Sequence, residues 1–333
     1  MSTVDLDEFT PHREHLVRIA YRMLGSLADA EDAVQETWLR WQRTDRSEIV
    51  DARAWLTRVT SRICLDVLRS ARVTREAYVG PWLPEPLVER LPADALPGSS
   101  TAPPPGADPA DIAVLDDSVR IALLHLLERL SPEQRVAFVL HDVFGIPFDG
   151  IAAALGTKVD NARQLASRAR RLLHDSAPPP LAPLPEQRAT VEAFFAACQG
   201  GDLNRLTTLL APDVEFHSDG GGQVRAALRP ILGPEKVARF LLGIFQSRSD
   251  YIVAESALVN GQYGIVLRFS PPKADDNPGY ERWVGGRELM GVIVPDVTAD
   301  GRISRFSFVV NPDKLKRLPP VAEPPVDGAG TVS

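Results

Sequence analysis

The stretch "PFDGIAAALGTKVDNARQLASRARRLL", residues 147–173, decides how this chain is read. Its apolar residues, Ile151, Ala154 and Leu155 and then Ala162, Leu165 and Ala169, recur every three or four positions on either side of Gly156. That spacing predicts two short helices packed through a small apolar seam and joined by a tight turn. Asn161, Arg163, Gln164, Ser167, Arg168, Arg170 and Arg171 then face outward. From Lys158 to Arg171 five basic residues stand against one acid, Asp160, for a local charge of +4. A helix-turn-helix that reads DNA needs such a face, because its polar residues reach base edges while its arginines pair with phosphate or guanine. The plainer alternative is a solvated helix with a charged side, and the sequence upstream weakens it.

With 333 residues, the chain predicts two or three domains. Hydrophobic content of 44% with 24% charged residues is ordinary for a globular protein. No apolar run approaches the roughly 20 residues of a membrane span, and the polar opening "MSTVDLDEFTPHREHL" gives no expectation of a secretory signal. Two cysteines only, Cys64 and Cys198, sit far apart in apolar helical patterns, which predicts reduced thiols in a cytoplasmic protein and no metal site. The net charge of −7 would oppose nucleic-acid binding if it were spread evenly, which it is not.

Proline marks the joints. Residues 76–111 hold nine prolines, which excludes continuous helix and predicts a semi-rigid connector. A second joint, 177–185, holds five in nine, and the tail at 319–333 reads as disordered. The boundaries expected are therefore 1–75, the linker 76–111, 112–176, the linker 177–185, 186–318 and the tail. The first two blocks read as all-helical. Leu16, Ile19, Met23 and Leu27, then Ala30, Val34, Trp38 and Trp41, keep the period of a buried helix face, with Asp29 expected as the second helix's N-cap. A third helix carries Trp55, Leu56, Val59, Ile63, Val67 and Leu68 on one side; from Arg53 to Arg75 it holds six arginines and one acid, for +5. The helix before it is acidic, with Glu31, Asp32, Gln35 and Glu36 on one face. In the next block a long helix is expected to end near Leu130, followed by a capping box at Ser131, Pro132 and Gln134. The third block predicts α+β structure: helices over "EQRATVEAFFAACQGG" and "DLNRLTTLLAPD", strands, a helix over "GPEKVARFLLGIFQSR", and strand pairs turning at Asn260-Gly261 and Asp300-Gly301.

An acidic helix beside a basic one suits a protein that grips DNA with one surface and a basic protein with another. "DAEDAVQETWLRW", "RAWLTRVTSRICLDVLRSAR" and "LSPEQRVAFVLHDVFG…RQLASRARRLL" resemble regions two and four of the extracytoplasmic-function sigma factors, the bacterial transcription-initiation subunits. The resemblance covers about residues 8–175. It implies that Asp32, Gln35 and Glu36 dock on the β′ clamp helices of core RNA polymerase, with the β flap a further contact. It also implies that Arg58, Arg62 and Arg69 capture and melt the minus-ten element. Asn161, Arg163, Gln164, Ser167 and Arg168 then read the minus-thirty-five element, beside Lys158, Arg170 and Arg171. The third block resembles the cone-shaped SnoaL-like cyclase domains, which one subgroup of these sigma factors carries as a C-terminal extension. Three signatures of that subgroup stand here: "WLPEP" (Trp82, Leu83, Pro84, Glu85, Pro86), "DGGG" (Asp219, Gly220, Gly221, Gly222) and "NPDKL" (Asn311, Pro312, Asp313, Lys314, Leu315). Relatives commonly follow the glycines with lysine, whereas this chain has Gln223.

The glycine run fails as a phosphate loop, since no GxxxxGK[ST] or GxGxxG pattern surrounds it. It stays open as part of a catalytic pocket with His217 and Asp219, as a simple turn, or as a contact loop. The contact loop is preferred, because residues without Cβ allow close approach of another backbone, and the neighbour expected is the WLPEP segment, whose Trp82 needs burial. A short helix is expected at Asn311 and Pro312, with Leu315 and Leu318 as its apolar edge. This helix and the glycine loop would together fix the spacing of the two DNA-reading domains. The function expected is thus a promoter-specifying polymerase subunit regulated in cis by its third domain, with no cofactor, metal or small-molecule ligand expected. Two alternatives remain. One is a SnoaL-like hydrolase or cyclase using His217, Asp219, Glu281 and Glu288; the other is a ligand-sensing repressor, which the acidic docking helix opposes.

Overall fold

A computed structural model describes residues 3–47, 49–76, 78–90, 120–174, 178–246, 252–269 and 289–318. Most of the first linker, the tail at 319–333, and Glu281 and Glu288 lie outside the described residues.

Helices α1 (Thr3–Leu24), α2 (Leu27–Arg43) and α3 (Ala52–Glu76) pack through Leu16, Ile19, Met23, Ala30, Val34, Trp41, Leu56, Ile63 and Leu68. Each burial follows the three-to-four periodicity. The N-cap of α2 differs from expectation. Gly25, at φ 68°, closes α1 through a 2.7 Å bond to Tyr21 O, so the chain is extended again at Ser26. Ser26 accepts from Asp29 N at 3.2 Å and is the cap; Asp29 falls in the first turn.

In the second block α4 (Ile121–Leu127) is described as seven residues ending before Leu130. Helix α5 (Pro132–Phe138) starts from the Ser131–Gln134 capping box and widens into a π turn, Val139–Val143. Helices α6 (Phe148–Leu155) and α7 (Val159–His174) meet at Gly156, φ 64°. Leu124, Leu127, Val136, Val139, Ile151 and Ala162 share one continuous core with α1–α3.

The third block holds helices α8 (Leu184–Gly200), α9 (Leu203–Thr208) and α10 (Pro234–Gln246), against a seven-stranded sheet. Helix α9 is shorter than expected: residues 210–213 open strand β2 because Leu210 pairs with Ile303. The strands are β1 (Val88–Arg90), β2 (Leu210–Asp219), β3 (Ile231–Leu232), β4 (Ile252–Val259), β5 (Gln262–Phe269), β6 (Leu289–Val297) and β7 (Ile303–Val309). Their order is β1-β4-β5-β6-β7-β2-β3, with β2 parallel to β7 and the other pairs antiparallel. Asn260 (φ 52°) and Gly261 (φ 76°) supply the positive angles of the β4–β5 turn. Strand β1 comes from the proline-rich connector: Val88, Glu89 and Arg90 pair with Val259, Leu258 and Ala257. The linker is therefore part of the third block's sheet rather than a free spacer.

The sheet has two distinct faces. Phe216, Phe306 and Phe308 pack with Phe194 and Phe240 under the helices, filling the cone. The opposite face buries Val259, Val292, Val294 and Val309 against Leu83, Ile121 and Leu315. It is the face turned toward the first two blocks.

Candidate nucleic-acid interface and interdomain junction

The α6–α7 seam consists of small residues: Ile151, Ala154, Ala162, Ala166 and Ala169 are all buried. Close approach through alanine leaves the outer side of α7 in solvent. Lys158, Asn161, Arg163, Gln164, Ser167, Arg168, Arg170 and Arg171 are exposed there. Several are pre-positioned. Asn161 Nδ2 donates to Thr157 Oγ1 at 2.8 Å, Arg163 pairs with Asp160 at 3.0 Å and overlies Phe148, and Arg170 pairs with Asp142 of the π turn.

On α3, Arg58, Arg62 and Arg69 are likewise exposed, but the helix is not open on all sides. It packs along α5 and α6. Arg69 bonds Glu133 of α5 at 2.9 Å, and Arg58 lines a groove with Trp55, Pro147 and Gly150. On α2, Asp32 and Gln35 are exposed, Glu36 pairs with Arg40 at 2.9 Å, and Glu31 pairs with Arg317 at 2.6 Å. The acidic face thus already meets the end of the third block.

The three short signatures converge at one junction. Asp219, fully buried, accepts from Tyr78 OH at 2.5 Å, Leu83 N at 2.8 Å, Gly221 N at 3.0 Å and Lys314 Nζ at 2.7 Å. Burial and then the bond to Asp219 push the Tyr78 phenol well above its ordinary pKa. Lys314 also donates to Leu83 O and lies 4.0 Å from the Trp82 ring centroid. Asn311 caps the 3-10 turn Pro312–Lys314 by accepting from Asp313 N at 3.0 Å, and donates to Tyr78 OH at 3.0 Å. A Cβ on Gly221 would stand 2.5 Å from Asn311 Nδ2; one on Gly222 would meet Val79 at 3.4 Å; one on Gly220 would meet Val224 O at 2.5 Å. The neighbours of the glycine loop are therefore Asn311, Tyr78 and Val79, and Leu83 is the WLPEP residue that reaches Asp219. Trp82 packs instead on Gly25 and remains partly exposed. Gln223 donates to Asp313, a neutral bond in place of a salt bridge.

Further contacts that no local pattern announced tie the blocks together. Glu85 N donates to Gly25 O, while its carboxylate accepts from Leu27 N at 2.7 Å, at the start of α2. Tyr21 OH donates to Glu85 O at 2.7 Å and accepts from Asn260 Nδ2 at 2.8 Å. Pro84 and Pro86 are buried beside them. Arg120, at the start of α4, forms a buried 2.8 Å pair with Asp296 of β6, whose other oxygen accepts from Gln262. His125 of α4 meets His217 of β2 edge to face, centroids 5.2 Å apart. Burial, then the neighbouring His217 and Arg305, push His125 down to about 4. His217 donates to Glu215 at 2.8 Å, and burial lowers its pKa too. In strand β2, Glu215, His217 and Asp219 alternate with Phe216, so both candidate acid–base groups stand on the face opposite the cone's interior. Among the described residues no cluster of His, Cys, Asp or Glu could hold a metal, and no helix is long and apolar enough to cross a membrane.

Comparison with known proteins agrees with this layout. Residues 9–74 match Sigma-70 region 2, residues 120–173 match Sigma-70 region 4, and residues 191–306 match the SnoaL-like domain. Over 322 residues, 95% of each chain, the sequence is 41% identical to the ECF RNA polymerase sigma factor SigJ of Mycobacterium tuberculosis. It is 35% identical over 307 residues to that organism's probable ECF RNA polymerase sigma factor SigI, covering 92% of this chain and 93% of the relative. The crystal structure of M. tuberculosis SigJ superposes with a TM-score of 0.68 at 39% identity, over 93% of this chain and 98% of that one.

Proposed function

Because the chain belongs to the extracytoplasmic-function RNA polymerase sigma factors that carry a C-terminal SnoaL-like domain, it binds core RNA polymerase and promoter DNA, and we propose that its third domain regulates it in cis by holding regions two and four closed on each other. In this reading α7 reads the minus-thirty-five element, the arginines of α3 engage the minus-ten element, the acidic face of α2 docks on the β′ clamp helices, region four contacts the β flap, and the protein works in the cytoplasm.

One observation carries the regulatory part. Helix α3 packs on α5 and α6 within a single core. Packed helices lie about 10 Å apart, whereas promoter elements centred about 25 base pairs apart are about 80 Å apart at about 3.4 Å per pair. The two regions must separate before both elements are engaged. The SnoaL-like domain binds all three partners of that separation: region two through Tyr21 and Glu31, the linker through Asp219, and region four through Arg120. We assign the domain no catalysis. His217 and Asp219 are committed to contacts outside the cone, and phenylalanines pack its interior.

The test is co-purification with core polymerase and promoter-directed initiation in vitro, comparing the full chain with variants weakened at Asp219 or Arg120. Failure of the full chain to bind core, or to initiate with any variant, defeats the sigma assignment. Initiation that is indifferent to the junction variants defeats the regulatory one.

A further inference from the structure

A cavity of about 430 Å³ opens where region two, the first linker and region four meet. Its walls include Leu68 of α3, Tyr78 and Trp82 of the linker, and His125, Arg129 and Arg135 of region four. Packed interiors leave few voids larger than a water molecule; this volume falls instead in the roughly 300–1,000 Å³ range of small-molecule sites. It is distinct from the cone of the SnoaL-like domain, on the far side of the sheet.

The lining dictates what would fit. Leu68, Tyr78 and Trp82 offer apolar and aromatic surface, which favours a flat ring. Arg135 is only 2% exposed and is paired with Glu128, so within the cavity those two charges offset each other. Arg129, exposed at the rim, leaves a net positive charge. His125 adds none at neutral pH, being pushed down to about 4 chiefly by burial. One positive charge over an aromatic floor matches a flat molecule bearing one acid group. We propose that this cavity binds a small aromatic carboxylate, its acid group on Arg129 and its ring against Tyr78 and Trp82.

Such a ligand touches region two, the linker and region four at once, so it binds best when the three are together and favours the closed arrangement by its binding free energy. The proposal concerns binding by the free chain, and its test needs neither polymerase nor promoter. The full-length protein is titrated with 2-naphthoate and indole-3-carboxylate, with 2-naphthamide as the uncharged analogue, following tryptophan emission and thermal melting. Both carboxylates should raise the melting temperature with concentration. The amide should bind about tenfold more weakly, the discrimination expected for one charge-assisted contact. Arg129→Gln, a surface change, should weaken the carboxylates about tenfold and leave the amide unaffected; Arg239→Gln on α10 should change nothing. No response to either carboxylate at millimolar concentration overturns the proposal, as does an Arg129→Gln protein that binds them as tightly as the original.

Discussion

The contact between Gly221 and Asn311 invites a double-mutant cycle. Gly221 sits at φ 62°, where an L side chain costs about 1 kcal/mol or more. Alanine there would also place a Cβ 2.5 Å from Asn311 Nδ2, an overlap of the kind that costs about 1–3 kcal/mol in packed surroundings. Gly221→Ala should therefore destabilise by about 2–4 kcal/mol. Asn311→Ala removes the cap on Asp313 N, about 0.5–2 kcal/mol, and the bond to Tyr78 OH, about 0.5–1.5 kcal/mol. In the double variant the backbone strain and the lost bonds remain, but the overlap has no partner. It should be less destabilised than the sum by about 1–3 kcal/mol. Urea unfolding of the full chain, followed by tryptophan emission at constant m, measures the coupling. Additivity within about 0.5 kcal/mol would refute the claim that close approach to Asn311 is what requires glycine at this point.

Other outcomes follow from the same geometry. Arg163→Ala and Arg168→Ala should each weaken promoter binding by about 1–3 kcal/mol in a sequence-dependent way, while Arg171→Ala should weaken all sequences alike and flatten the salt dependence; titrations on matched and mismatched promoters separate the two. Asp32→Lys should abolish core-polymerase binding and leave the melting temperature nearly unchanged, since exposed charges contribute little to stability, and retention of core affinity would move the docking face. His125 has a folded-state pKa of about 4, below the ordinary value near 6.5. Its unfolded form binds the extra proton, so the stability it contributes is present above about pH 6.5 and is lost as pH falls toward 4. His125→Phe should flatten that part of the stability profile, and an unchanged slope would contradict the assignment.

What the sequence disclosed was local. The alanine seam around Gly156, the capping box at Ser131 and the Asn260-Gly261 turn each sit within a few residues of the structure they specify, so periodicity and turn chemistry sufficed to place them. Asp29 misled because it begins the acidic run, whereas the deciding residue was Gly25, whose left-handed turn sets Ser26 as the cap. The junction was legible only as three short motifs. That Asp219 gathers Tyr78, Leu83 and Lys314 depends on contacts 141, 136 and 95 residues apart. Nothing within Arg120, Tyr21 or His125 announces a partner in the third domain. Strand β1 escaped notice because three residues after a proline run carry too little pattern to outweigh the prolines.

The central claim is that regions two and four are closed on each other in the free protein and separate to engage a promoter. The most direct measurement is the distance between labels at Ser70→Cys on α3 and Leu172→Cys on α7, both exposed, with the native Cys64 and Cys198 protected by burial. Energy transfer would be read on the free chain and again in an initiating complex with core polymerase and promoter. The account predicts one short distance in the free chain and a lengthening of several tens of ångströms in the complex. A free chain already extended, or an initiating complex that keeps the short distance, would contradict it.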